Sequence, residues 1–477
     1  MKTILIQPGI KQSFGFRSPP LSLLPLAGTL KDAGHEIEIF DARRHDYHEL
    51  NLENTLCVGL TVLTGSQIIH ALEISKYVKK KNPGIKVIWG GIHPSMLPEQ
   101  TIKNKFIDIV VDGEGELTLL ELVQVFEKNK SIKKIKGILY KEKDKIIKTP
   151  KRDFMDFDKA AFHPYELLKD KKTYDIDIIH IQTSRGCPYN CGFCYNKNFN
   201  KNSYRFKTPD RVIKEIEKAI KLFGTRQIHF DEDNFFVKQD RVREICEKII
   251  QKKLNIIWSS TCRLDYFARY DEEFLRLLKK SGCKSLAFGG ESGSQKILNY
   301  VKKGITVKQT IKAVENAKKC GIKPILSFVC GFPEETKKDI ELTLNLIAKL
   351  KKINKDFETN GIFIFTPYPE TPIFKDAVKS GLKEPQSLEE WGHCYFGDST
   401  QTPWFSETHK KYLISVSKVG ELLFAKPNPN FTPTFNYFLK YLGRVILYTS
   451  ANLRFKLRFF KFPIELTLYD KYTTRLK

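Results

Sequence analysis

The chain has 477 residues, 41% of them hydrophobic, and no uninterrupted apolar run of eighteen, which excludes a disordered chain and argues against a membrane span. Its formal charge of +25 is spread along the whole length, so it fits a lysine-rich solvated surface as well as attraction to phosphates. The opening "MKTILIQPGIKQ" turns polar too early for a secretory signal, so a cytoplasmic protein is expected, where clustered thiols hold metal more often than they form disulfides.

The predicted elements begin with a strand in "KTILIQ", a helix in "LSLLPLAGTLKDAGH" ending at Gly34, and a strand in "EIEIFDA". "CVGLTVLTG" reads as the third strand and "SQIIHALEISKYVKKKNP" as a helix. "KVIWGG" is the fourth strand, and "IDIVVDGEGELTLLELVQVFEK" gives strand, turn and helix. Such alternation predicts a parallel sheet covered on both faces, with ligands beyond the carboxyl ends of the strands. The glycine-bearing tips "LTGS", "GGIHPS" and "DGEGE" fall at those ends, and none is a dinucleotide fingerprint.

After a charged stretch the alternation resumes. Strands are predicted in "IIHIQTS", "QIHFDEDNFF", "NIIWSSTCR", "SLAFGGES", "PILSFVCGFP" and "GIFIFTPY", with helices such as "DRVIKEIEKAIKLFG" between them. Six such units predict a partial barrel with its chemistry at the carboxyl ends of the strands. From about residue 391 the pattern breaks. Residues 401–477 hold 13 Lys or Arg against 4 Asp or Glu, with aromatics interleaved, and are read as mainly helical.

The first strand of the second unit runs into "TSRGCPYNCGFCYNKNF", which sets Cys187, Cys191 and Cys194 at spacings of four and three. A structural zinc wants four closed ligands, and no fourth Cys or His follows at comparable spacing. The pattern C-x-x-x-C-x-aromatic-C, with Phe193 as the aromatic, resembles the radical SAM signature. The resemblance implies a [4Fe–4S] cluster on the three cysteines. Its free iron would chelate S-adenosylmethionine (SAM), which on reduction would yield a 5′-deoxyadenosyl radical.

Further segments are similar to that family's. "FDEDNFF" places Asp231 and Asp233, with Glu232 between them, where members present polar groups to the SAM amino group. Arg263 in "CRLD" is implied as a partner of the SAM carboxylate. Glu291 and Ser292 in "GGESGSQKIL" match residues near the ribose and carboxylate. Gly331 opens "GFPEET", a turn that lines the adenine in the family. "TPYPETP" carries Glu370 where the family has glycine. Each charged residue, taken alone, fits a structural ion pair as well as a ligand contact. Cys262, Cys283, Cys320 and Cys330 lack cluster spacing and read as small core residues.

The first unit resembles the cobalamin-binding domain that precedes many radical SAM barrels. Contacts would fall to Thr64 and Ser66, to Gly90, Gly91 and His93, and to Gly113 and Glu114. The cobalt-ligating D-x-H-x-x-G motif is not matched: Asp46 and His48 are present, but Asn51 replaces its glycine and the loop is a different one.

The fold class expected is thus α/β. A Rossmann-like (flavodoxin-like) cobalamin-binding domain at 1–135 is followed by a linker at 136–178. A partial (β/α)6 TIM-type radical SAM core then spans 179–390, and a basic capping or substrate segment spans 391–477. The resemblance implies methylation, or cyclisation, at an unactivated carbon of a small-molecule or lipid-like substrate. It also implies a flavodoxin or ferredoxin as electron donor. Contact with a membrane surface through the basic C-terminal segment stays open, as does an ordinary capping role.

Three other readings compete. A radical SAM enzyme whose first domain has lost cobalamin would fit the missing D-x-H-x-x-G motif. An RNA-modifying methylthiotransferase would carry a second cysteine trio in its first domain, where this chain has only Cys57. A zinc-dependent nucleic-acid binder would suit the charge but not the barrel, so nucleic acid is not the expected partner.

Overall fold

A computed structural model of the chain describes residues 1–9, 18–169, 174, 177–394, 402–424 and 435–460. Strands β1 (Lys2–Gln7), β2 (Ile37–Asp41), β3 (Thr55–Thr61), β4 (Lys86–Gly90) and β5 (Ile109–Val111) form the first sheet in the order β2-β1-β3-β4-β5, all parallel. Their apolar runs, Ile4 to Ile6 and Val87 to Trp89 among them, are buried on both faces, as helix-covered parallel strands require. The helices Leu24–Asp32 and Glu116–Glu127 cover one face and Gln67–Lys81 the other. The order reverses between β1 and β3, which opens a crevice at their carboxyl ends.

Residues 138–148 differ from the linker expected there. They form an antiparallel hairpin, β6 (Ile138–Glu142) and β7 (Lys145–Lys148), that extends the sheet beyond β5. Ile138, Leu139 and Tyr140 are buried in the cores of the first domain, a tertiary role that the surrounding lysines mask in the sequence.

The second unit starts with β8 (Ile178–Ile181). A short antiparallel pair follows, β9 (Ser184–Arg185) with β10 (Arg205–Phe206). The remaining strands are β11 (Gln227–Phe230), β12 (Ile257–Thr261), β13 (Cys283–Glu291), β14 (Lys323–Cys330) and β15 (Glu358–Ile364). The six long strands are parallel and stand in chain order, β8-β11-β12-β13-β14-β15, as a partial barrel. Alternation sorts them: Ile179, Ile228, Trp258 and Leu286 join the helix-facing core, while His180, His229, Ser259 and Ser285 lie in register on the other face. The helices that return the chain begin on strong caps, Thr208 before Pro209, and capping boxes at Thr306 with Gln309 and Thr336 with Asp339.

The described parts of the C-terminal segment are largely helical. Helix Glu407–Phe424 lies on β15, where Gly420 lets the backbones approach: a Cβ there would stand 3.0 Å from the Ile362 nitrogen. Leu413, Val416 and Val419 join the barrel core, as do Ala451 and Phe455 of helix Phe435–Leu457. Residues 395–401, 425–434 and 461–477 of the expected segment lie outside the described residues. Among the described residues no helix is long and apolar enough to cross a membrane.

Candidate active site

The cysteine loop leaves the carboxyl end of β8 and is gripped residue by residue by the tail of β11. Glu232 accepts the backbone N–H groups of Thr183 at 2.6 Å and Ser184 at 3.0 Å, together with the Ser184 hydroxyl. Asp233 accepts the Gly186 N–H at 2.9 Å and the Tyr195 hydroxyl at 3.3 Å. Asn234 donates its side-chain N–H to Cys187 Sγ at 3.8 Å. The middle of the loop is pinned at Gly192, whose N–H donates to Val301 O at 2.8 Å and whose carbonyl accepts from Ile373 N at 3.0 Å. Cys191 is buried and Cys187 and Cys194 half-buried, all three as free thiols.

Burial pushes the Cys187 thiol up and that of Cys194 up to about 12, so metal binding there would release protons. Two cations stand near enough to offset thiolate charge: Arg263 and Lys303 both act electrostatically on Cys191. Among the described residues no three His, Cys, Asp or Glu side chains converge on one ion. Three thiolates are one ligand short of a closed structural zinc site, whereas a four-iron cluster takes each thiolate on a different iron.

The other residues singled out in the barrel sit around this loop in different settings. Asp231 is bridged by two imidazoles, His180 Nδ1 at 2.6 Å and His229 Nε2 at 3.6 Å. Arg263 stacks on Tyr189 at 3.5 Å, and its fork is occupied by Asp265 at 2.8 Å and the Lys303 carbonyl at 2.8 Å. Glu291 adopts a left-handed φ of 55° and pairs with Lys303 at 2.6 Å. The Ser292 hydroxyl turns into the helix side, beside Thr343 Oγ1 at 3.1 Å. Phe193 packs on Phe332. Gly331, at φ 94°, donates its N–H to Glu335 and accepts from Trp404 Nε1 at 3.2 Å. Burial raises Glu335 to about 8 and Glu232 likewise to about 8.

A cavity of about 530 Å³ opens between the two units. One wall is the carboxyl edge of the first sheet: Gly90, Gly91, Gly113 and Gly115, with Leu21, Leu26 and Leu119 behind them. The other is the barrel: Gln182, Arg185, Tyr195 and the carboxylates of Asp231 to Asp233. At Gly91, φ is 99° and a Cβ would meet Val62 N at 2.9 Å, while at Gly113, φ 110°, it would meet nothing within 4 Å. Glycine at 91 thus allows the close approach of the Val62 backbone, and glycine at 113 leaves its edge of the cavity a backbone cradle without a side chain. The fold, the glycine edge and the leucine-lined depth fit a corrinoid.

Not every residue singled out in the first domain faces that space. Glu114 does, but its carboxylate is held by Arg205 at 2.7 Å and Arg185 at 3.0 Å. His93 and Thr64 bond each other at 3.0 Å, with His93 fully buried against Trp391 and pushed down to about 3 by burial. Ser66 is buried at the start of its helix. His48 bonds Asp46 at 2.7 Å with both side chains 60% exposed, on the outer surface.

Four residues of the site were missed from the sequence: Arg185, Tyr195, Asn234 and Lys303. Arg185, Tyr195 and Asn234 flank recognised motifs, so adjacency could have found them. Lys303 carries no local signal.

Residues 9–123 match the B12 binding domain and residues 181–347 the Radical SAM superfamily. An uncharacterized methyltransferase of Pyrococcus horikoshii is 34% identical over 80% of this chain and 84% of its own. An anaerobic magnesium-protoporphyrin IX monomethyl ester cyclase of Rubrivivax gelatinosus is 28% identical over 75% of this chain and 66% of its own. The cobalamin-dependent radical enzyme OxsB, solved with aqua-cobalamin and S-adenosylmethionine bound, superposes with a TM-score of 0.74 at 18% identity, over 94% of this chain and 72% of that one.

Proposed function

The chain belongs to the radical SAM superfamily, with a B12-binding domain ahead of the barrel, and on that premise we propose that it methylates an unactivated carbon of a small-molecule or lipid-like substrate. The observation that carries this is the cavity of about 530 Å³ walled by the glycine cradle on one side and by the cysteine loop's neighbours on the other. When bound, the cluster supplies the electron that splits SAM, and the corrinoid supplies a methyl group for a carbon that has no acidic proton.

The chain's own residues provide the setting. Cys187, Cys191 and Cys194 hold the cluster, with Arg263 and Lys303 offsetting thiolate charge. Gly90, Gly91 and Gly113 admit the corrinoid to their backbone. Leu21, Leu26 and Leu119 give the cavity an apolar lining. Asp231 and Asp233 present carboxylates to the cavity, a setting for an ammonium group such as that of SAM. An acidic flavodoxin or ferredoxin in the cytoplasm suits a chain of charge +25 as electron donor.

Protein reconstituted with iron, sulfide and hydroxocobalamin under anaerobic conditions, then desalted, should retain corrinoid. With methyl-deuterated SAM and a substrate it should yield a product heavier by one labelled methyl group. SAM cleavage with a product lighter by two hydrogens would instead assign cyclisation, and no corrinoid retention would reject the methyl-transfer reading.

Peripheral contact with an anionic membrane has its own support. Ile446, Leu453, Leu457 and Phe459 are exposed beside Arg454, Lys456 and Arg458 near the end of the described chain. Cosedimentation with anionic vesicles that is unchanged on removing residues 445–477 would reject it.

A further inference from the structure

We propose that Asn234 is a positioning residue that donates its amide N–H to the Cys187 thiolate and thereby sets the reduction potential of the cluster. The inference rests on the cluster reading given above and goes beyond it, because no resemblance of sequence singles out this residue.

Asn234 is 2% exposed, and its Nδ2 lies 3.8 Å from Cys187 Sγ, within the range of an N–H···S bond. Its Oδ1 is buried without a partner among the described residues. No protein group therefore fixes which end of the amide faces the sulfur, and the charge on the sulfur decides. A thiolate accepts a hydrogen bond and repels a carbonyl oxygen, so ligation locks the N–H inward. The placement is not free to drift, because Glu232 and Asp233, the two preceding residues, are bonded to Thr183, Ser184 and Gly186.

A hydrogen bond to a ligating sulfur stabilises the more negative, reduced cluster over the oxidised one, which raises the potential. The neighbouring cations Arg263 and Lys303 act in the same direction but from fixed ion pairs with Asp265 and Glu291. The backbone N–H groups of Tyr189 and Asn196 also bond Cys187 and Cys194, but Asn234 is a neutral side-chain donor, and it can be removed without leaving a buried charge.

The test is an EPR-monitored redox titration of reconstituted protein without SAM, comparing the wild type with Asn234→Leu and Asn234→Ser, with iron content and melting temperature measured on the same samples. Asn234→Leu should keep its four irons and show a more negative midpoint. At a fixed solution potential its reduced-to-oxidised ratio should fall about three- to tenfold, tenfold being about 59 mV for a one-electron couple. Asn234→Ser, with a shorter donor, should lie between. Equal midpoints in all three proteins would overturn the proposal, as would loss of the cluster from both variants with the fold intact. A wild type that assembles no four-iron cluster would instead sink the family assignment of the three cysteines.

Discussion

Arg185, two residues before Cys187, reaches Glu116 of the first domain at 2.6 Å and Glu114 at 3.0 Å. All three side chains are largely buried, and Arg185 also lies over the Phe157 ring at 4.7 Å. The cysteine loop and the glycine loop that lines the cavity are therefore joined by the Arg185 guanidinium. Arg185→Met should destabilise the protein by about 3–5 kcal/mol, since it leaves the buried Glu116 carboxylate without its ion-pair partner while Glu114 keeps Arg205. Urea unfolding measures the loss. The same variant should hold corrinoid more weakly, because Glu114 lines the cavity.

The three cluster cysteines should behave as a set. Cys187→Ala, Cys191→Ala or Cys194→Ala should each lower iron to well under four per chain and abolish SAM cleavage. Cys262→Ala, a small core change, should leave the iron content unaltered while costing stability. Retention of cleavage by any of the first three would remove the basis of the reading.

These two predictions mark where the sequence was legible and where it was not. The strands were readable because their apolar runs and alternation are local, and the cysteine trio was visible because its three residues lie within one short loop. The hairpin at 138–148 was not, since its pairing partner β5 is distant and its outer residues are lysines. Arg263 and Glu114 were singled out for ligands, yet each has a protein partner brought in by the fold, Asp265 with the Lys303 carbonyl, and Arg185 with Arg205. The pairings with Lys303, Arg185 and Arg205 join remote segments and leave no spacing to read, while Asp265 lies only two residues from Arg263 and was legible. His93 was placed on the right loop but on the wrong side of it, because a short helix at Ile92–Met96 turns its ring into the core.

Glu370 stands where the family has glycine, and it adopts φ 60°, a left-handed conformation that costs a side chain about 1–2 kcal/mol. Its carbonyl accepts from Asn198 Nδ2 at 2.6 Å, which holds the strained turn against the loop after Cys194. Glu370→Gly relieves the strain but adds freedom to the unfolded chain, so a net gain of about 0.5–1 kcal/mol is expected. Thermal unfolding checks the sign: a lower melting temperature would show that the side chain itself contributes contacts.

Stability should fall as pH rises from about 4.5 to about 8. Glu232 and Glu335 are both raised by burial to about 8 in the folded protein, from 4.5 when unfolded. The folded state therefore binds more protons than the unfolded one throughout that window, and each group contributes a slope of up to about 1.4 kcal/mol per pH unit. The stabilisation is complete below pH 4.5 and lost above pH 8. Glu335→Gln, which keeps an acceptor for the Gly331 N–H, should remove its share of the slope and leave that of Glu232. A double variant with the same slope as the wild type would refute the assignment.

Gly186 is the residue on which the cysteine loop turns. Its φ is +85°, and a Cβ would stand 2.1 Å from the Ser203 carbonyl oxygen and 3.2 Å from the Asn200 Cβ. The contact is with backbone in the segment before β10, which is itself tied to β9, so the neighbour cannot swing aside as a flexible side chain would. Gly186→Ala must therefore shift either the mini-sheet or the loop, and the loop is bonded to Asp233 through the Gly186 N–H at 2.9 Å. Breaking that bond moves Cys187, the adjoining residue. The variant should lose about 3 kcal/mol or more of stability from the combined steric and backbone strain. It should also assemble less iron under conditions that load the wild type. Gly224→Ala is the matched control: its φ is +71°, but a Cβ there meets nothing within 4 Å. It should cost only the backbone term, about 1–2 kcal/mol, and keep the full iron content. Equal iron in the two variants would show that the turn at Gly186 does not position Cys187.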